Sequence, residues 1–545
     1  MRVEDNAPSG KRGIWLTLSG AASGTLIEWY DFFLYGAVAS ILAKNFFSGL
    51  PESTAYLFSL LTFAAGFLVR PLGSLLFGHI GDLWGRKNTF LVTMVLMGIS
   101  TVSVGFLPTY IEAGFLAPVL LITARLIQGL AVGGEYGGAA IFIAEHCPSD
   151  KRGYYTSFIQ LTCTFGLFLA LLAVVLVRSI MGEEVFQSWG WRIPFLGSAL
   201  LLVVAVWIRL KLDESPIFNQ MVADGRKATS PIKESFGSWE RWKSMLISTF
   251  VATAGMTVIF YNSQFYVLTF LEKSLGVSNL LATKLVCLAL MLASPFFLLF
   301  GRLSDTFGRK PIMLTGFLLA GLTYFPLFAA LGNAANPALM NAAKESPVSI
   351  FVLKEGCSSR FFLISKDKSD KPCDTMRDKL AAAGIEYKTV FVIDESQVGF
   401  SVGGYSVKFG AVPIGAAARQ SAADQIGAAV QAAGYPKSAA EADINKPLVV
   451  AILFLMVLYV AMAYGPLAAF LVEMFPTHIR YTSLSTSYNL SVGWIGGLLP
   501  SVAFAVVIAT GHIYAGLWYP VSVTLFAFVA GLFLLKDRTG GDISG

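Results

Sequence analysis

The sequence predicts an all-α polytopic membrane protein: twelve transmembrane helices in two six-helix bundles, with a small extracytoplasmic α/β insertion between the ninth and tenth spans. Three observations predict it. The 545 residues are 55% hydrophobic and only 14% charged, with a mean hydropathy of +0.65, whereas a soluble chain carries about a quarter charged residues. The charges cluster between long uncharged runs, and two motifs recur in the same order in both halves. A net charge of +6 scattered over such clusters makes no nucleic-acid face, and the apolar runs exclude a soluble enzyme or a disordered chain.

The spans come first. Residues 88–111, 153–177, 244–271, 285–301, 311–343, 447–472 and 481–535 contain no Asp, Glu, Lys or Arg, and about 20 apolar residues cross a bilayer. The last run is long enough for two spans, broken near Gly511 and His512. Adding runs interrupted by a few charges gives candidates at 14–43, 55–78, 88–109, 116–146, 153–180, 190–211, 244–271, 280–301, 311–332, 447–471, 481–510 and 514–535. Lys and Arg in short loops set orientation. They gather at the two termini and in every second loop, while the opposite side offers only Lys44, Arg178, Lys273 and Lys284 outside its one long loop. Both termini are therefore expected in the cytoplasm, with the one long loop on the opposite face of the membrane. The first 13 residues are polar and the first span is too long for a signal-peptide core, so it reads as a retained anchor.

The chain contains its own alignment. GHIGDLWGRK (78–87) returns as GRLSDTFGRK (301–310), and Glu145, Pro148 and Arg152 return as Glu473, Pro476 and Arg480. Both motifs are expected in cytoplasmic loops, after spans two and eight and after spans four and ten, which makes two parallel repeats. The motifs start 67 residues apart in the first half (Gly78 to Glu145) and 172 in the second (Gly301 to Glu473). The surplus falls on the extracytoplasmic face. The expected organisation is a first bundle over 1–211, a cytoplasmic loop over 212–243, a second bundle over 244–334 and 447–545, and an inserted domain over 335–446. There, strand-like SIFVLK, KTVFVID and YSVKF alternate with helix-like DTMRDKLAAAG and AAARQSAADQIGAAVQAAG. Cys147, Cys163 and Cys287 read as packing residues, while Cys357 and Cys373 lie on the oxidising side, where a disulfide or two free thiols both fit.

G-x-x-x-D-x-x-G-R-K after span two, its repeat after span eight, and R-x-x-Q-G at 125–129 resemble the major facilitator superfamily. TLIEWYDFFLYG (25–36), FLVRPLGSLLFGHIGDLWGRK (67–87), RLIQGLAVGGEYGGAA (125–140) and SWGWRIPFL (188–196) are similar to its metabolite:proton symporter branch, whose carriers take shikimate, 2-oxoglutarate, citrate, proline and betaine. The likeness covers the chain except the insertion, which most members lack. It implies two bundles about a central cavity, alternating access and proton-coupled uptake. With KDRTGGDISG as the last residues of the chain, the long C-terminal coiled coil of osmosensing members is not expected.

Ionisable groups within the hydrocarbon core are costly and mark function. Glu28 and Asp31, three residues apart on one face of the first span, hold protons more tightly together than either alone. With Glu135 they are the proton-coupling candidates. The bland alternative is a static partner for an arginine. Arg125 sits roughly 15 Å from Glu135 along one helix; it either clamps a substrate carboxylate bidentately or neutralises Glu28 or Asp31. Tyr30, Gln128, Tyr136, Gln160, Asn262 and Gln264 are the other substrate-contact candidates, and Tyr35, Tyr261, Tyr266, Tyr459, Tyr464 and Asn489 are also expected to face the cavity, packing or interface anchoring being the alternative. Gly133, Gly134, Gly137 and Gly138 are expected to allow close helix packing; without a preceding strand they are no dinucleotide loop.

The loop motifs read as gates. Asp82 and Asp305 are expected to cap the helix that follows each of them. Arg86 and Arg309 are expected to reach Glu145 and Glu473, with Arg152 and Arg480 beside them, and Arg70 is a gate residue or counter-ion. The expected function is proton-driven symport of a small polar metabolite, an organic acid in preference to a zwitterionic osmolyte that Glu28, Asp31, Trp29 and Tyr30 would hold by charge and cation–π attraction. No cofactor or metal is expected, only the proton gradient, and the expected form is a monomer whose partners are solute, protons and lipid. A transporter-derived receptor is the other class considered; the 212–243 loop is too short for an output domain.

Overall fold

Backbone polar groups in an apolar setting must be satisfied internally, which selects helices. The structure, a computed structural model, is built mainly of them and describes residues 10–48, 52–353, 372–409 and 416–543. The first half contains α1 (Gly10–Phe46), α2 (Glu52–Trp84), α3 (Arg86–Val104), α4 (Leu116–His146), α5 (Phe158–Met181) and α6 (Arg192–Leu210). The second begins with α7 (Trp239–Ser274), α8 (Asn279–Phe307) and α9 (Arg309–Ala335). After the insertion come α12 (Lys446–Tyr464), α13 (Arg480–Leu490), α14 (Leu499–Thr510) and α15 (Trp518–Leu534). Among the described residues ten helices are long and apolar enough to cross a membrane. The 33-residue α2 and the α13–α14 pair, joined through the wide turn Ser491–Gly496, lie outside that set.

The first six helices pack on one another, as do α7–α9 with α12–α15, and the halves meet where α2 runs along α13 and α8 along α5. The seam thus uses elements that the internal repeat makes equivalent. Helices α2 and α8 continue past their expected ends, to Trp84 and Phe307. The repeated ten-residue motifs are therefore mostly helix, not loop: a polar sequence can end a hydrophobic span without breaking its hydrogen bonding. The helices stop at Gly85 (φ 106°) and Gly308 (φ 96°), a backbone region that only glycine enters readily. Helix α7 is interrupted by π-type turns at Ser248–Thr253, Asn262–Tyr266 and Phe270–Ser274, a deformation that recurs at functional sites.

Between α9 and α12 the chain forms a four-stranded sheet: β1 (Val348–Leu353), β2 (Tyr387–Val392), β3 (Gly399–Val402) and β4 (Tyr405–Lys408), in the order β2-β1-β3-β4. Strand β1 pairs parallel with β2, and antiparallel pairs join β1 to β3 and β3 to β4. Helices α10 (Pro372–Ala382) and α11 (Ala416–Ala432) complete it. GFSV in β3 escaped the sequence reading because four residues led by glycine carry little strand signal. The domain is fastened to the second half. Tyr387 N donates to Gly511 O (3.0 Å), Ala439 N to Gly276 O (3.0 Å) and Asn445 N to Ala334 O (2.9 Å). Cys373 is disulfide-bonded, Cys147 and Cys287 are free, and Cys357 lies outside the described residues.

Candidate functional site: buried ion pairs and an aromatic seam

Two buried acids of α1, Glu28 and Asp31, carry the chemistry. Asp31 accepts from Arg125 of α4 (Nη1 to Oδ2 2.7 Å, Nη2 to Oδ1 3.5 Å), and the guanidinium lies 4.0 Å over the Tyr35 ring. Glu28 faces Arg70 of α2 at 3.6 Å, and that guanidinium lies 4.4 Å over Phe67. All four charged groups are buried. They border a cavity of about 30 Å³ shared with Gln128 and Gly129, above the space one water needs. Gln128 donates to Thr101 Oγ1 (2.7 Å), while its Oε1 is buried without a hydrogen-bond partner. The two adjacent acids therefore each have an arginine of their own, drawn from different helices.

Glu135, ten residues along α4 from Arg125, is held differently. Arg209 Nη2 donates to its Oε1 (2.8 Å) and Thr93 Oγ1 to its Oε2 (3.0 Å). Arg209 also donates to Gly20 O (2.9 Å) and Phe90 O (2.7 Å) and stacks 3.3 Å over the Phe90 ring. This pair ties α1, α3, α4 and α6 together. Sequence reasoning missed Arg209; an arginine in the last turn of a span was the available clue. Removing one member of a buried ion pair costs about 3–5 kcal/mol, while replacing both by apolar groups is often near neutral. Arg209→Leu is accordingly expected to lower the melting temperature of the purified protein sharply, and Glu135→Leu combined with Arg209→Leu to recover most of that loss. An unshifted single variant would show the pair to be dispensable.

The two halves meet in aromatic side chains. Tyr136 stacks on Tyr488 with centroids 3.8 Å apart and on Tyr464 at 6.0 Å, and the Tyr464 and Tyr488 hydroxyls are 2.6 Å apart. Trp29 packs against Phe260 (5.4 Å) and Phe32 against Phe265 (5.1 Å). Gln160 donates to Tyr136 (3.4 Å). From the other side Asn262 and Gln264 lie buried in a wide turn of α7, Asn262 beside Tyr324 and Gln264 with its Oε1 unpartnered. Tyr30 does not join them. Its hydroxyl donates to Pro194 O (2.7 Å), a contact from α1 to α6 within the first half. Asn489 donates across the seam to Gly133 O (2.8 Å), and a side chain at Gly137 would meet Ser485 Oγ at 1.9 Å. The glycines of α4 thus let the halves touch.

The end of the molecule that carries the repeated motifs is latched by matched contacts. Asp82, on the last turn of α2, accepts from Tyr481 N (3.1 Å), Thr482 N (2.9 Å) and Arg86 (2.7 Å). Asp305, on the last turn of α8, accepts from Gly153 N (2.8 Å), Tyr154 N (2.8 Å) and Arg309 (2.6 Å). Each carboxylate thus caps a helix of the opposite half, not the helix that follows it. The following helices take other acids: Glu214 at Arg86 N (3.1 Å) and Asp537 at Lys310 N (3.2 Å). The reason is geometric, because an acid still on a helix points sideways across the seam. Arg480 pairs with Glu145 (2.8 Å) and Arg152 with Glu473 (2.9 Å), both across the halves. Arg309 reaches Glu473 at 3.2 Å, whereas Arg86 stands 3.9 Å from Glu145 and donates instead to Thr477 O (2.7 Å). Among the described residues no group of three or more His, Cys, Asp or Glu side chains is placed to hold a metal.

Comparison with known proteins agrees with this architecture. The sugar (and other) transporter family model matches residues 17–241 and 225–353. The glycine betaine/proline/ectoine/pipecolic acid transporter OusA of Dickeya dadantii is 28% identical over 97% of this chain and 84% of its own length. The alpha-ketoglutarate permease of Escherichia coli is 37% identical over 60% of this chain and 74% of its own, and the shikimate transporter of that organism 36% over 57% and 71%. A solved proton:xylose symporter, XylE bound to 6-bromo-6-deoxy-D-glucose, superposes with a TM-score of 0.61 at 18% identity, covering 98% of both chains; that likeness speaks to the fold. The chain belongs to the sugar (and other) transporter family and is a metabolite transporter of the major facilitator superfamily, not an enzyme.

Proposed function

We propose that this transporter is a proton-coupled symporter that brings a small carboxylate-bearing metabolite across the membrane by alternating access. The observation that supports it best is the pair of buried acid–arginine contacts on α1, Asp31–Arg125 and Glu28–Arg70, beside the seam between the halves. A proton on Asp31 would free Arg125 for a solute carboxylate, and release of the proton to the other side would expel the solute by restoring the pair. Glu28 would do the same for Arg70. Glu135, already held by Arg209 and Thr93, would support them structurally. In this reading α2 and the α13–α14 stretch also span, giving twelve spans with both termini in the cytoplasm and the inserted domain outside; Cys357 would be the partner of Cys373. The protein would act as a monomer in the inner membrane, without a cofactor.

An organic acid is the preferred solute, on the strength of Arg125. A zwitterionic osmolyte is the second reading, favoured by a specific feature: the stacked Tyr136 and Tyr488 with Tyr464, Trp29 and Phe260 nearby, the kind of aromatic setting that takes a quaternary amine. Both solutes carry the carboxylate the mechanism needs. Proteoliposomes with an imposed pH gradient, offered labelled shikimate, 2-oxoglutarate and betaine in competition, test this. Uptake of one class that collapses with a protonophore is expected; uptake indifferent to the gradient would remove proton coupling.

A further inference from the structure

After α15 the chain does not leave the protein. Asp537 and Thr539 accept from the backbone of Lys310 and Arg309 (both 3.2 Å), fixing the segment to the start of α9 in the second half. It then runs under Glu473, where with that residue it borders a cavity of about 320 Å³. Gly541 O accepts from Arg152 of the first half (3.2 Å). Ile543, 4% exposed, ends the run with its carbonyl gripped by Arg480 Nη2 and Thr477 Oγ1 (both 2.6 Å).

The donors are what give this segment meaning. Arg152 and Arg480 are the two arginines whose carboxylate partners lie across the seam, and the carbonyl of Thr477 takes Arg86 from the first half. Thus the three residues that hold Gly541 and Ile543, namely Arg152, Thr477 and Arg480, also bridge the two halves. The contact with Arg152 exists only while the halves are together, and the grip on Ile543 fixes the turn at 477–480 from which Arg480 and Thr477 reach across. A carbonyl that accepts from an arginine makes one of the stronger hydrogen bonds.

We propose that residues 537–543 form a strap that selectively stabilises the cytoplasm-closed state and must detach from Arg152 before the transporter opens inward. The proposal rests on the alternating-access reading above.

Its test measures distances between spin labels at Trp84→Cys and Phe307→Cys, the exposed ends of α2 and α8 (71% and 66% exposed), in full-length protein in nanodiscs with Cys147, Cys163 and Cys287 changed to Ser. Ending the chain after Gly540 removes both carbonyl contacts and is expected to raise the ratio of long to short distances about tenfold, the worth of one charge-assisted hydrogen bond. Ile543→Asp keeps every backbone acceptor but charges the buried anchor, and is expected to shift the ratio the same way. An unchanged ratio in both variants overturns the strap while leaving alternating access intact. A single distance in the full chain at every pH overturns both.

Discussion

Asp31→Asn is expected to abolish concentrative uptake while solute exchange across the membrane survives. Its carboxylate is the partner of Arg125 at 2.7 Å, both groups are buried, and Asn can neither bind nor release a proton. With one proton per solute, a gradient of one pH unit sustains about a tenfold accumulation; uncoupled, the ratio falls to one. Arg125 is then permanently free for solute, so counterflow exchange should persist and solute should bind at least as tightly. Glu28→Gln tests the neighbouring pair in the same assay. Its arginine stands at 3.6 Å without a hydrogen bond, so a smaller effect is expected. Gradient-driven accumulation that survives in both single variants and in their combination would sink the coupling scheme.

The pairing of Asp31 with Arg125 was legible in the sequence only as one of two readings, because helical spacing places a group on a face but does not say which neighbouring helix that face meets. The same limit hid Arg209. Glu135 was visible as a costly buried acid, but its counter-ion lies 74 positions along the chain, and nothing local connects the two. Where the signal is local it is plain in the structure: α2 and α8 stop at Gly85 and Gly308, the glycines of the repeated motifs. Tyr30 was ambiguous in the sequence because an aromatic ring with a polar tip serves an interface or a core equally well; in the structure its hydroxyl donates to Pro194 O.

The fold was more legible than the site for a physical reason. Hydropathy and charge asymmetry act through the surrounding medium, so each segment reports its own environment. The latch acids show where such reasoning stops. Asp82 and Asp305 were recognised as helix caps from residue type and place, and they are caps. Which helix each one caps depends on α2 and α8 continuing past the apolar run, a continuation that hydropathy does not register.

That continuation sets up the second large effect. Asp82→Asn is expected to slow uptake from outside at least tenfold with normal amounts of protein in the membrane. The buried carboxylate accepts two backbone N–H groups of the opposite half, the Thr482 hydroxyl (2.8 Å) and Arg86. Asn has one acceptor oxygen and turns an NH2 toward donors that already point inward, so at least one bond is lost and Arg86 keeps its charge with its nearest counter-ion gone. Hydrogen bonds to charged groups contribute about 1.5–3 kcal/mol each, and 1.4 kcal/mol is tenfold in a population. Those contacts bridge the two halves; under the proposed alternating access they exist only with the cytoplasmic side closed, so the loss would fall on the state that takes up external solute. Asp305→Asn should act in the same direction, since its carboxylate caps Gly153 and Tyr154 in the matching way. If initial rates and half-saturation of both variants equal those of the unaltered protein, the carboxylates are merely topological, and the seam is held closed by Arg480–Glu145 and Arg152–Glu473 without them.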